Sequence, residues 1–182
     1  NTEEERLLGV SLTGILDCPI LRPSNTNLKD TLEQLRTVAV ETNKKIAKDL
    51  GIPQSTAITC VKPSGTVSQL VDSASGIHAR HNPFYVRTVR GDNKDPLTQF
   101  MQQVGIPIEP DMGKPDSVSV FSFPMKSPNG AVTRTEMTAI EQLDYWLLFQ
   151  RHWCEHKPSV TISVKENEWM DVGAWVYKNF DE

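Results

Sequence analysis

The residues best suited to chemistry are Ser64-Gly65-Thr66-Val67-Ser68, which follow Thr59-Cys60-Val61-Lys62-Pro63. An apolar run through Ala57, Ile58, Cys60 and Val61 reads as a buried strand. It turns at Pro63-Ser64-Gly65 and leads into residues that can start a helix. A junction of this kind is suited to holding an anion. The glycine lets backbone approach a ligand, the hydroxyls of Ser64, Thr66 and Ser68 donate hydrogen bonds, and the first N–H groups of a helix lack intrahelical partners. The same residues also make an ordinary helix cap, since Ser and Thr are favoured there.

Other candidate chemistry is thinner. His152 and His156 share a helical face at i,i+4, but Cys154 lies well around the helix from them. At most two ligands converge, where structural zinc needs four. A helix C-terminus that favours partly positive histidines explains the pair better. Asp92, Asp95, Glu109 and Asp111 are spread through polar loops, with no pairing that argues for general acid–base work. Cys18, Cys60 and Cys154 are odd in number and lack CxxC spacing, which fits reduced, buried thiols in a cytosolic protein. No catalytic or metal-binding residue is assigned.

With 182 residues and 38% apolar content, the chain can build one sizeable core and is expected to hold one domain. It has no run of about 18 apolar residues to span a membrane. It shows no export leader either, so a cytoplasmic location is expected. The net charge of −4 weighs against general nucleic-acid binding. Residues 62–94 nevertheless carry a net +3, from Lys62, Arg80, Arg87, Arg90 and Lys94 against Asp72 and Asp92, and the remainder carries −7. His78 and His81 fall in the same stretch. A positive field beside the turn favours an anionic ligand.

Thr2–Leu8 reads as a short helix, and Val10–Leu16, set off by Gly9 and Gly14, as a tight turn or irregular strand. Leu28, Leu32, Leu35, Ala39, Thr42, Ile46 and Leu50 step by three and four, which predicts an amphipathic helix capped by Asn27 and stopped by Gly51. Phe84–Arg90 is expected as a strand, and Asp95–Val104 as a helix capped by Asp95 with Pro96 in its first turn. Gly105–Lys114 reads as a surface connection, and Val118–Phe123 as a strand stopped by Pro124. Thr138 and Glu141 match a capping box ahead of a helix through Trp146 and Leu147. Ser159–Val164 is expected as a further strand, and Glu166–Phe180 as a helix with Trp169, Met170, Trp175 and Val176 available for packing. The four tryptophans, all on helical segments, are expected in the core. Alternating strands and helices argue for an α/β architecture with much of the sheet parallel.

Several long segments carry a more specific signal: KPSGTVSQLVDSASGIHARH (Lys62–His81), FYVRTVRGDNKDPL, FSFPMKSP, TAIEQLDYWLLFQRHW and PSVTISVKENEW. Together, in this order and over nearly the whole chain, they closely resemble the adenosylcobalamin-dependent (class II) ribonucleoside-triphosphate reductases. The resemblance implies that residues 1–182 are a single segment from the second half of the family's ten-stranded α/β barrel. A start at Asn1 without methionine and an end on Phe180-Asp181-Glu182 also read as a piece of something larger.

In that family the Pro-Ser-x-Thr turn carries the substrate's phosphates. The implied site here is Ser64, Gly65, Thr66 and Val67, through side chain or backbone N–H, with Ser68 as a further candidate. Many diphosphate-type enzymes have Glu where this chain has Gly65. Losing that carboxylate removes repulsion and bulk, which suits a triphosphate. The resemblance further implies thiyl-radical reduction of the ribose 2′-carbon for deoxyribonucleotide synthesis, started by adenosylcobalamin and completed by a cysteine pair. The family's Asn-x-Cys-x-Glu pattern and its C-terminal shuttle cysteines are absent here. The radical and reducing groups are therefore expected outside this chain, which alone is expected to be inactive. Implied partners are a ribonucleoside triphosphate, the remainder of the reductase chain and a thioredoxin-type reductant, with no membrane and no nucleic acid. The alternative is a stand-alone nucleotide- or phosphate-binding module without catalysis.

Overall fold

The computed structural model describes residues 2–65 and 67–182. They form two compact units, one from the residues up to His81 together with Asn129–Glu182, the other from Asn82–Pro128. The sizeable core expected from chain length belongs to the first unit. Its elements are α1 (Thr2–Glu5), β1 (Val10–Ser11), α2 (Leu28–Leu50), β2 (Thr59–Cys60) and α3 (Val67–Leu70). The second unit contributes β3 (Phe84–Asp92), α4 (Pro96–Gln103), β4 (Ile108–Pro110) and β5 (Val118–Lys126). The chain then returns to the first unit with α5 (Ala139–His152) and α6 (Trp169–Lys178).

In the first unit β1 and β2 pair in parallel, Val10 against Thr59 and Ser11 against Cys60. Backbone bonds from Leu8 N to Ala57 O and from Leu12 N to Cys60 O lengthen the contact beyond the two formal pairs. Helix α2 has the expected span and ends at Gly51, whose φ of +66° is the left-handed stop that glycine adopts without a Cβ penalty. Asn27 occupies the N-cap position, but its side chain makes no capping bond. Leu28 and Leu32 enter the core with Ile15, Leu16, Val61, Ile77, Phe149 and Trp153. Farther along the same stripe, Leu35, Ile46 and Leu50 remain exposed. Helix α5 opens on the capping box read from the sequence, Thr138 Oγ1 accepting from Glu141 N and Glu141 Oε2 from Thr138 N.

Further expectations fail in this unit. Ser159–Val164 is not a strand. Exposed and part-buried residues still alternate along it, but a strand needs a ladder, and its tie to the β2 segment is one long bond from Ser159 N to Val61 O (3.4 Å). Helix α6 starts at Trp169 behind a tight turn of 3-10 helix, Glu166–Glu168. Trp175 packs edge-on against Trp146 and donates to Asp144 Oδ1 (2.6 Å), while Trp169 and Met170 are exposed rather than packed.

The second unit is an antiparallel sheet in the order β3-β5-β4, so the larger sheet is not parallel as alternation suggested. Pro124 lies within β5, opposite Val86, instead of ending it. The reason is parity. Ser122 N points away from β3, toward Pro107 O. The nitrogen of Pro124, two residues on, points the same way, beyond the last β4 pairing at Ile108–Phe121, so no ladder bond is lost. β4 itself falls within the 105–114 stretch read as a plain connection. Asp95 caps α4 through Leu97 N, as expected. Among the described residues no helix is long and apolar enough to cross a membrane.

Candidate functional site

The turn after β2 leaves the core abruptly: Val61 is buried, whereas Lys62 and Pro63 are exposed. Val67 N donates to Ser64 O (2.9 Å), which closes the bend into the single turn of α3. At its apex Gly65 is exposed at φ +50°, and a Cβ built there would meet no heavy atom within 4 Å beyond its two chain neighbours. Glycine is the residue that holds this backbone conformation without strain. The Val67 side chain is exposed. Ser68 is fully buried and its hydroxyl donates to Gly65 O (3.1 Å), which braces the apex from inside. Thr66, the remaining candidate, lies outside the described residues.

Ser64 is half-buried and tied to two segments that sequence reasoning did not connect with it. Its Oγ donates to Ser75 Oγ (2.9 Å) and lies 3.0 Å from Thr13 Oγ1, and its N–H also donates to Ser75 Oγ (3.2 Å). Thr13 Oγ1 donates in turn to Ala74 O (3.1 Å) and accepts from Gly76 N (2.9 Å). Below this cluster Arg80, 4% exposed, donates from Nη2 to Asp17 Oδ2 (2.9 Å) and Asp72 O (2.7 Å), with Nη1 3.4 Å from Asp72 Oδ1. Asp17 Oδ2 accepts from Ala74 N as well (2.8 Å). The loop that supplies Ser75 is thereby pinned to the segment after β1.

Of the five cations behind the expected positive field, Lys62 and Arg80 share the first unit with the turn. Arg80 is enclosed by Asp17 and Asp72. Arg87, Arg90 and Lys94 belong to the second unit, where Arg90 pairs with Asp111 (2.6 Å). That guanidinium, with the Gly113 N–H, holds the Asp111 carboxyl below the usual range. Lys62 remains as the exposed cation next to the turn in sequence.

His152 Nδ1 lies 2.8 Å from Glu33 Oε1, and among the described residues no three metal-ligating side chains gather. Cys60 and Cys154 are buried and Cys18 is half-buried. Burial, and then the neighbouring Cys60, push the Cys154 thiol up to about 12.

No family model matches the chain. It is 31% identical to the adenosylcobalamin-dependent ribonucleoside-triphosphate reductase of Euglena gracilis, over 87% of this chain and 22% of that protein. It is 27% identical to the enzyme of the same name from Lactobacillus leichmannii, over 91% of this chain and 26% of that one. A solved B12-dependent (class II) ribonucleotide reductase superposes on 96% of this chain and 28% of its own, with a TM-score of 0.82 at 23% identity. The chain thus spans about a quarter of the length of the proteins it matches. It is homologous to a segment of the adenosylcobalamin-dependent ribonucleoside-triphosphate reductases and shares the α/β fold of the matching part of a class II ribonucleotide reductase.

Proposed function

We propose that this chain is the phosphate-holding part of a reductase that converts ribonucleoside triphosphates to 2′-deoxyribonucleotides, from the second half of its catalytic barrel. Ser64, Gly65, Thr66 and Val67 receive the charged tail of the substrate, and Ser68 stiffens the turn from behind. The observation that carries the reading is the open apex at Gly65, flanked by the half-buried hydroxyl of Ser64 and free of any heavy atom that a ligand would have to displace within 4 Å of its Cβ direction. The backbone can therefore approach an oxyanion closely.

Thiyl-radical chemistry is assigned to groups outside these 182 residues. Cys60 and Cys154 are buried, and none of the three cysteines has the neighbours that mark the radical cysteine. The relatives are adenosylcobalamin-dependent by name, and that cofactor supplies radical chemistry where it is bound. The cavities of the first unit that reach about 510 Å3 are surface grooves on a segment spanning about a quarter of its relatives, and no residue of this chain is assigned to the cofactor. No step of the proposal runs through the cofactor. Electrons come from a thioredoxin-type partner of the complete enzyme, in the cytoplasm.

The test is equilibrium titration of a ribonucleoside triphosphate into the complete enzyme carrying Gly65→Glu. Affinity is expected to fall by about 1–3 kcal/mol, because a carboxylate repels the phosphates and blocks backbone approach. Unchanged affinity would remove the turn from the phosphate site.

A further inference from the structure

Three hydroxyls from three separate segments meet at the turn: Thr13 after β1, Ser64 at the bend, and Ser75 in the loop after α3. Each hydroxyl carries one proton and can accept two hydrogen bonds. Ser64 spends its proton on Ser75 Oγ, and Thr13 spends its own on Ala74 O. Ser75 Oγ accepts twice from Ser64, from Oγ and from N, and its own proton is used by neither bond. With its proton turned toward Ser75, Ser64 offers an incoming anion nothing.

We propose that Thr13 and Ser75 are positioning residues that turn the Ser64 hydroxyl outward onto a phosphate oxygen. The inference rests on the phosphate reading of the turn. Rotation of the hydroxyls alone makes the change, with no backbone movement. Ser75 turns its proton onto Ser64 Oγ across the same 2.9 Å, and Thr13 swings its proton from Ala74 O to Ser64 Oγ, which lie at 3.1 and 3.0 Å. Both acceptor positions of Ser64 are then filled, and its own proton has one direction left, out of the cluster. Gly76 N keeps Thr13 Oγ1 in place throughout (2.9 Å). Two hydroxyls donating into Ser64 also polarise its O–H bond, which makes it a better donor to an oxyanion.

The test uses the complete reductase and compares equilibrium binding of a ribonucleoside triphosphate with that of the same nucleoside lacking phosphates. Ser75→Ala and Thr13→Val are each expected to weaken triphosphate binding roughly three- to tenfold and to leave nucleoside binding unchanged. Ser75→Thr and Thr13→Ser, which keep the hydroxyl, are expected to restore it. Should Ser75→Ala fail to fold, Ser75→Cys keeps the bulk but donates weakly and gives the same readout. Equal losses for both ligands, or no loss, overturn the positioning role if Ser64→Ala still weakens triphosphate binding. If Ser64→Ala has no effect on the triphosphate, the phosphate reading falls and this inference with it.

Discussion

Arg80 holds the densest set of bonds beneath the turn, and its guanidinium is almost sealed from water. Removing one member of such a pair leaves the other charge buried without compensation, which typically costs about 3–5 kcal/mol. Arg80→Met is therefore expected to lower unfolding stability by about that amount in urea titrations, and Asp17→Asn by less, since Asp72 still faces the guanidinium. The double variant should lose less than the sum of the two, because the second change removes a charge already stranded. Strict additivity would mean that the pair is not coupled. Cys154 gives a second check. With its thiol raised by burial, it should resist a thiol reagent at neutral pH and react once the chain is unfolded in urea. Rapid labelling in the folded state would place it at the surface. The turn residues were legible because their signal is local: a strand end, a glycine and hydroxyls within a few positions. Thr13, Asp17, Ser75 and Arg80 were not legible as one cluster, since Asp17 and Arg80 lie 63 positions apart and Thr13 and Ser64 lie 51 apart. Periodicity describes neighbours within an element and is silent on partners at that range.

Gly91 shows how closely α4 is laid against the sheet. A Cβ there would run into Thr98 Oγ1 and come within 3.2 Å of the Phe121 ring. Thr98 and Phe121 are themselves buried, so neither can yield freely. Gly91→Ala is expected to destabilise the second unit by about 1–3 kcal/mol through overpacking. Amide exchange in β3 and β5 should speed up accordingly, and Thr98→Ala in the same chain should recover part of the loss. Unaltered exchange would mean that the helix can lift away at no cost. Elements whose signals are covalently adjacent were readable: α2 with its Gly51 stop, α4 with its Asp95 cap, and α5 with its capping box. Elements that depend on a neighbour were not. Ser159–Val164 has the strand pattern without the ladder, and Pro124 has the breaker residue without the break, because its missing N–H faces an unpaired edge. Edge position is a property of the sheet and leaves no trace in the strand's own sequence.

At the scale of the whole chain, the first unit is closed by residues from both ends of the sequence, and Glu155 is where they are fastened. Its Oε2 accepts from Ile58 N (2.6 Å), Thr59 N (2.9 Å) and Thr59 Oγ1 (3.2 Å), while Arg36 of α2 lies 3.9 Å from Oε1. Trp153 adds Nε1 to Cys60 O (2.8 Å). One carboxylate thus ties the end of α5 to β2 beside α2. Burial alone would push this carboxyl up, but the Thr59 and Ile58 N–H groups, the Thr59 hydroxyl and Arg36 together outweigh it and hold it below its ordinary 4.5. A carboxyl depressed in the folded state binds fewer protons there than in the unfolded chain. Its contribution to stability is complete above about pH 4.5 and drains away as pH falls through the lower, folded-state value. Glu136, shifted down by the Thr133 hydroxyl and N–H, adds to the same acid slope and survives as background when Glu155 is replaced. Urea unfolding of the Glu155→Gln chain from neutral pH down to about pH 3 should therefore show lower stability at the neutral end and a shallower decline into acid than the parent chain. Parallel curves for the two chains would mean that Glu155 titrates alike folded and unfolded, and that the end of α5 is held to β2 by the Trp153 and backbone hydrogen bonds and apolar packing without help from this carboxylate.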